Sequence, residues 1–132
     1  MSKNIEIFQP DDWHVHFREG DMLEMVTNFS SRINNRCVAM PNTKIPITDT
    51  NKALSYKELL KKASNNKFEP LIPCYLRENL DLEDFRTGIQ NKVFFGSKLY
   101  PSNATTNSSH GVSDISKIFK FLEILEEEKS PL

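Results

Sequence analysis

Strand-like and helix-like stretches alternate along this chain, which predicts an α/β fold with a parallel sheet. Three observations carry the prediction. Short runs of strand character recur at 11–18, 37–40, 70–76 and 93–100. Stretches with apolar residues at helical spacing follow each of them. Polar, glycine or proline residues separate the two kinds of stretch. Two architectures fit: a small doubly wound sheet, or the first four βα units of a (β/α)8 barrel. A whole barrel takes about 250 residues, so a chain of 132 would hold only about half of one.

The first strand is Asp11-Asp12-Trp13-His14-Val15-His16-Phe17-Arg18, after a short extended lead-in at 5–8. Strand alternation sends His14, His16 and Arg18 to one face and Trp13, Val15 and Phe17 to the other. The apolar face would pack under helices. The polar face would bring two imidazoles beside a guanidinium. Neutral imidazole is a ligand for zinc, copper, iron or nickel, although two ligands do not complete a site. Asp21 with Glu24 has the spacing of a capping box. Met22, Met25, Val26 and Phe29 then mark a helix, and the Met and Phe stripe is expected to be its core face.

Cys37-Val38-Ala39-Met40 suits a strand buried on both faces, ended by Pro41, with Asn42 just past its C-terminal end. The second helix has Ala53, Tyr56, Leu59, Leu60 and Ala63 inward, with a cap supplied from 48–50. The third strand spans 70–76 and contains Pro73, which cannot donate to a ladder. Asp81 caps a third helix with Leu82, Phe85 and Ile89 inward. The fourth strand, 93–100, carries Lys98 among Phe94, Phe95, Leu99 and Tyr100. A polar loop, 101–111, leads to a fourth helix capped by Ser113, with Ile115, Ile118, Phe119, Leu122 and Leu125 inward.

Candidate functional residues therefore collect at strand C-terminal ends, where both architectures place active sites. Lys98 either snorkels to the rim or is desolvated enough to react, and the two histidines at the same end favour the second reading. Arg18 offers a fork that matches a planar carboxylate. Asn42 either shares that carboxylate or caps the turn after Pro41. The loop at 101–111 is either a lid over a polar substrate or a plain connection. His110, in its far arm, reads as a surface residue. No Gly-rich phosphate loop opens the first helix, which counts against a nucleotide-binding sheet.

Composition narrows the class further. The sequence has 17 Lys plus Arg against 18 Asp plus Glu, a net charge of -1. No charge excess points to nucleic acid or an anionic membrane surface. No apolar run is long enough to span a bilayer, and residues 1–6 lack the apolar core of a signal peptide. Cys37 and Cys74 lie in apolar runs and read as buried free thiols of a reducing compartment. The close at Ser130-Pro131-Leu132 has the character of a loop entering another strand, as if the chain were cut there.

The motifs together resemble dihydroorotase of the shorter bacterial type, within the metal-dependent amidohydrolase superfamily. They are Asp11-Asp12-Trp13-His14-Val15-His16-Phe17-Arg18-Glu19-Gly20-Asp21-Met22, Met40-Pro41-Asn42, and Lys98-Leu99-Tyr100-Pro101 running into Asn103-Ala104-Thr105-Thr106-Asn107-Ser108. His-x-His alone points only to the superfamily; the lysine segment with its loop is far more specific. The resemblance implies a (β/α)8 barrel of which residues 1–132 are the N-terminal half, with two zinc ions at the C-terminal mouth. It implies that His14 and His16 bind the more buried zinc and that Lys98, carboxylated, bridges both. Arg18 and Asn42 would hold the substrate carboxylate, and Thr105 and Thr106 would lie on the closing loop. The implied reaction interconverts N-carbamoyl-L-aspartate and L-dihydroorotate in pyrimidine synthesis, in a cytoplasmic enzyme that is a homodimer when complete. The family takes two further histidines, from strands five and six, and a proton-shuttling aspartate from strand eight. None of these matches a residue here, so the 132 residues alone are expected to be inactive. Hydantoinases and allantoinases share the histidines and lysine without the Asn-Ala-Thr-Thr-Asn-Ser loop. A non-catalytic dihydroorotase-like subunit would have no chemical reason to keep His14, His16, Arg18, Asn42 and Lys98.

Overall fold

Proline decides where the sheet divides. The run at 70–76 forms two short strands, β3 (Glu69–Leu71) and β4 (Cys74–Leu76), with Pro73 in the break between them. Proline has no N–H to give the ladder, and the pairing with β2 (Arg36–Ala39) ends at Leu71, before Pro73. The other strands are β1 (Asp11–Val15), β2 (Arg36–Ala39) and β5 (Ser97–Leu99). The computed structural model describes residues 4–132, so the part of the N-terminal reading that falls on Met1, Ser2 and Lys3 lies outside the described residues.

Every strand pairing is parallel. One sheet has the order β1-β2-β3, and β4 pairs with β5 in a second. The chain therefore passes from one neighbour to the other at the proline. Two backbone bonds flank Pro73 and extend the β4–β5 pairing back to Ile72, Phe95 N–H to the Ile72 carbonyl and Cys74 N–H to the Gly96 carbonyl, both 2.9 Å. Beyond β5, the Ser97 N–H donates to the Pro131 carbonyl at 2.9 Å, so the last residues begin to pair along its open edge. The expected run 93–100 shortens to three residues of strand.

Among the described residues four helices alternate with the strands: α1 (Asp21–Ser30), α2 (Thr50–Ala63), α3 (Leu82–Gln90) and α4 (Phe119–Glu127). Asp49 caps α2 and Asp81 caps α3, each accepting an N–H three residues on, which satisfies an otherwise orphaned donor. Asp21 does not cap α1. It is the first helical residue, and Gly20 at φ 61° holds the cap position without a side-chain bond. The start of the fourth helix also differs from expectation. A turn of 3-10 helix, Ile115–Ile118, precedes α4 and is capped by Asp114, while Ser113 donates its hydroxyl to Glu78. Glu78 also accepts the N–H groups of Ser113 and Asp114 and pairs with Lys117. These bonds hold its carboxyl far below the ordinary range, near 2.

That tight turn changes which residues face inward. At three residues per turn the face rotates differently from an α-helix. Ile118, Phe121, Ile124 and Leu125 are buried, whereas Ile115 and Phe119, expected inside, are each 53% exposed. On α1 the buried positions are Leu23 and Thr27, and the Met22, Met25 and Phe29 stripe lies on the solvent side. Leu59 and Leu82 are likewise exposed. Beneath the helices one core runs from Val15, Phe17, Cys37 and Ala39 through Leu60 and Phe68 to Phe85, Phe94 and Phe121. Cys37 and Cys74 are buried free thiols, as expected.

Candidate active site

The site grows from an irregularity in β1. Asp11 and Asp12 pair with Arg36 and Cys37, but Val15 pairs with Ala39, so the register slips between Asp12 and Val15. The Asp12 carboxylate accepts the His14 N–H at 3.0 Å within the slip. Such a bulge re-aims the side chains around it. Val15 and Phe17 point under the helices as alternation requires, but Trp13 does not join them. Trp13 is 55% exposed, lies 5.8 Å from Phe95 between ring centroids, and lines a cavity of about 170 Å³ together with His14. Its other neighbour is the Arg36 guanidinium, over its ring. Arg36 also pairs with Asp11, which anchors the start of the strand.

His14 is the penultimate residue of β1 and His16 lies one past its end. Their Nε2 atoms converge to 3.3 Å. Two nitrogens of a tetrahedral zinc site, each about 2.0–2.1 Å from the metal, are separated by about 3.3–3.4 Å. The imidazole pair thus fits two ligand positions on one cation. The pKa of His16 is lowered, first by burial, then by the charges of Arg18, His14 and Lys98, against an opposing bond from Asn42. That favours the neutral ring that metal binding needs. Among the described residues no cluster of three or more His, Cys, Asp or Glu side chains forms.

Lys98 is the middle residue of β5, level with Tyr75 of β4. Its Nζ lies 5.8 Å from the centre of the Tyr100 ring, and it makes no ion pair among the described residues. Arg18 follows β1 in a left-handed conformation, φ 64°, which costs a non-glycine residue roughly 1–2 kcal/mol. The buried Tyr56 of α2 donates its hydroxyl to the Arg18 carbonyl at 3.0 Å and holds that turn. Burial raises the Tyr56 pKa, so the hydroxyl keeps its proton for this bond. The Arg18 guanidinium has no acidic partner among the described residues, which leaves its fork for an anion.

Asn42 is buried, 3% exposed, just past β2. His14, His16, Arg18, Asn42 and Lys98 share one pocket of about 280 Å³, and Thr105 and Thr106 from the polar loop line it too. All the residues singled out from sequence therefore meet in one place. His110 is exposed and outside it, as expected. Sequence reasoning missed two contributors. Tyr100 lines the pocket and donates to the Asn42 side chain at 3.1 Å, and Tyr75 stacks on Tyr100 with centroids 5.0 Å apart. Strand periodicity held one signal: Tyr100 lies two residues beyond Lys98 and so on its face.

No protein-family model matches the chain. It is similar to dihydroorotases along nearly its whole length. The dihydroorotases of Salmonella arizonae and Salmonella heidelberg are each 44% identical to it over 133 aligned residues, which cover 99% of this chain. The chain spans only 38% of the length of those relatives. Among solved structures, the Saccharomyces cerevisiae dihydroorotase in complex with 5-fluoroorotic acid superposes with a TM-score of 0.85 and 33% identity, covering 92% of this chain and 34% of that one. The Campylobacter jejuni dihydroorotase gives 0.84 and 33%, covering 94% of this chain and 37% of that one.

Proposed function

We propose, from the premise that this chain is dihydroorotase-like along 99% of its length, that residues 1–132 form the N-terminal half of a single (β/α)8 amidohydrolase barrel. They carry the first half of an active site that interconverts N-carbamoyl-L-aspartate and L-dihydroorotate for pyrimidine synthesis. Ring closure joins the terminal ureido nitrogen to the side-chain carboxyl carbon and expels water; hydrolysis reverses it. The other carboxylate is untouched, so it is the handle by which substrate is oriented.

Each residue has a role in this reading. His14 and His16 would hold a zinc ion through Nε2. Lys98, as the free amine, would combine with carbon dioxide and lose a proton, which would give an anionic oxygen donor for the metal centre. When bound, zinc supplies Lewis acidity at the ring carbonyl and lowers the pKa of a water. Arg18 pairs with the free carboxylate through two parallel N–H bonds, and Asn42 donates a third. Thr105 and Thr106 exclude water from above. The remaining ligands and the aspartate that moves the proton are not among these residues, so the 132-residue polypeptide alone is inactive. The complete enzyme is a cytoplasmic homodimer in this reading.

The observation that carries the reading is the convergence of the two Nε2 atoms at 3.3 Å beside Lys98 and Arg18 in one pocket. The test is metal content, intact mass and substrate turnover of the complete gene product. Two zinc ions per chain, a carbon dioxide adduct on Lys98 and turnover of dihydroorotate are expected. H14A and H16A should each lose metal. Preferred turnover of hydantoins or allantoin would replace the substrate assignment. A metal-free protein without activity would overturn the enzyme reading in favour of a non-catalytic role.

A further inference from the structure

The polar loop is tied to the pocket through its tip, and every tie leads back to Asn42 or a tyrosine. The Asn42 Nδ2 donates to the Thr106 carbonyl at 3.0 Å. The Asn107 Nδ2 donates to the Asn42 carbonyl at 3.0 Å. The Tyr75 hydroxyl donates to the Asn107 carbonyl at 3.2 Å. The loop's base is closed separately: Ser102 N–H bonds the Val112 carbonyl and Val112 N–H bonds the Tyr100 carbonyl, at 3.0 and 2.8 Å. Gly111 permits that close pass, because a Cβ there would meet the Tyr100 carbonyl oxygen. The loop is thus hinged at its base and fastened at its tip.

We propose that Tyr100 and Tyr75 are positioning residues that set the orientation of the Asn42 amide and, through it, couple loop closure to capture of an anionic substrate. An asparagine amide is nearly symmetric in shape, and only its partners decide which end is the donor. The Tyr100 hydroxyl donates to Oδ1 at 3.1 Å, so Nδ2 must face the other way, toward Thr106. Nδ2 has two N–H groups and the loop uses one. In the flipped amide a lone-pair oxygen would replace that donor, lose the loop carbonyl and repel a carboxylate. Tyr75 stacks on Tyr100 and holds Asn107, so the pair locks both the amide and the tip. The part about substrate rests on the proposed function; the part about the loop does not.

The test uses Y100F in the complete gene product, with Y75F and N107D as independent variants. Asn107 is exposed and has φ 55°, a conformation that aspartate also tolerates, so N107D keeps the fold while removing the donor. Hydrogen exchange is measured at residues 103–110 and at core amides, without substrate. Exchange in the loop should rise about three- to tenfold in all three variants, with core amides unchanged. With dihydroorotate, Y100F should raise KM about tenfold while kcat stays within about twofold. Unchanged loop exchange in Y100F and N107D overturns the latch. Core and loop exchange rising together shows a merely structural role and also overturns it. A raised KM without faster loop exchange overturns the coupling. If the wild type has no activity on dihydroorotate, the functional reading fails, and loop exchange still decides the latch.

Discussion

Gly88→Ala is the most demanding single test of the packing described above. Gly88 lies inside α3, where alanine is favoured over glycine by about 1 kcal/mol. A helix-propensity argument alone therefore predicts stabilisation. The structure predicts the opposite. A Cβ at Gly88 would stand 2.5 Å from Cε2 of Phe94 and 2.8 Å from Cγ2 of Thr50, far inside contact distance. Phe94 is 2% exposed and packed on Phe85, and its N–H is bonded to the Gly88 carbonyl at 3.0 Å, so the ring has nowhere to swing. Overpacking of this kind costs about 1–3 kcal/mol. Set against the propensity gain of about 1 kcal/mol, the net expectation is a loss of up to about 2 kcal/mol, read as a lower urea midpoint at constant m-value. The cause is tested by a cycle with F94A. Removing the ring itself costs about 3–5 kcal/mol, but in that background G88A should become neutral or stabilising by up to about 1 kcal/mol. A stabilised G88A single mutant, or the same loss in both backgrounds, would refute the reasoning.

Three further outcomes are expected. Glu78 is held near 2 in the fold against an ordinary 4.5, so its contribution is present above about 4.5 and lost as pH falls toward 2. Wild type should therefore lose thermal stability relative to E78Q across that window, and parallel curves would sink the clamp at the start of α4. Cys37 and Cys74 are fully buried, and burial pushes the Cys37 thiol up to about 11, so a thiol reagent at pH 8 should label neither until the protein unfolds. Fast labelling of the native protein would contradict the core assignment. On α1, L23A should cost about 2–3 kcal/mol, whereas M25Q should change denaturation stability by less than about 0.5 kcal/mol. Equal losses would restore the Met stripe as the core face.

The sequence by itself determined what short-range chemistry encodes. Alternation of strand and helix, a cap within 48–50, the aspartate cap at 81, and the gathering of polar residues at strand ends depend on neighbours a few positions apart, and all appear in the structure. Pro73 was legible for the same reason, since a missing N–H is a property of the residue itself. Tertiary structure decided what depends on phase and on distant partners. The slip in β1 turned Trp13 away from Val15 and Phe17, and one turn of 3-10 helix rotated the inward face of α4. On α1 two faces competed, Leu23 and Thr27 against Met22, Met25 and Phe29, and only packing against α2 and the core settled which was covered. The bonds from Asn42 to Tyr100, Thr106 and Asn107 join residues 58 to 65 positions apart. No periodicity reaches that far; such partners meet only when parallel strands lie side by side and bring their C-terminal ends to one rim.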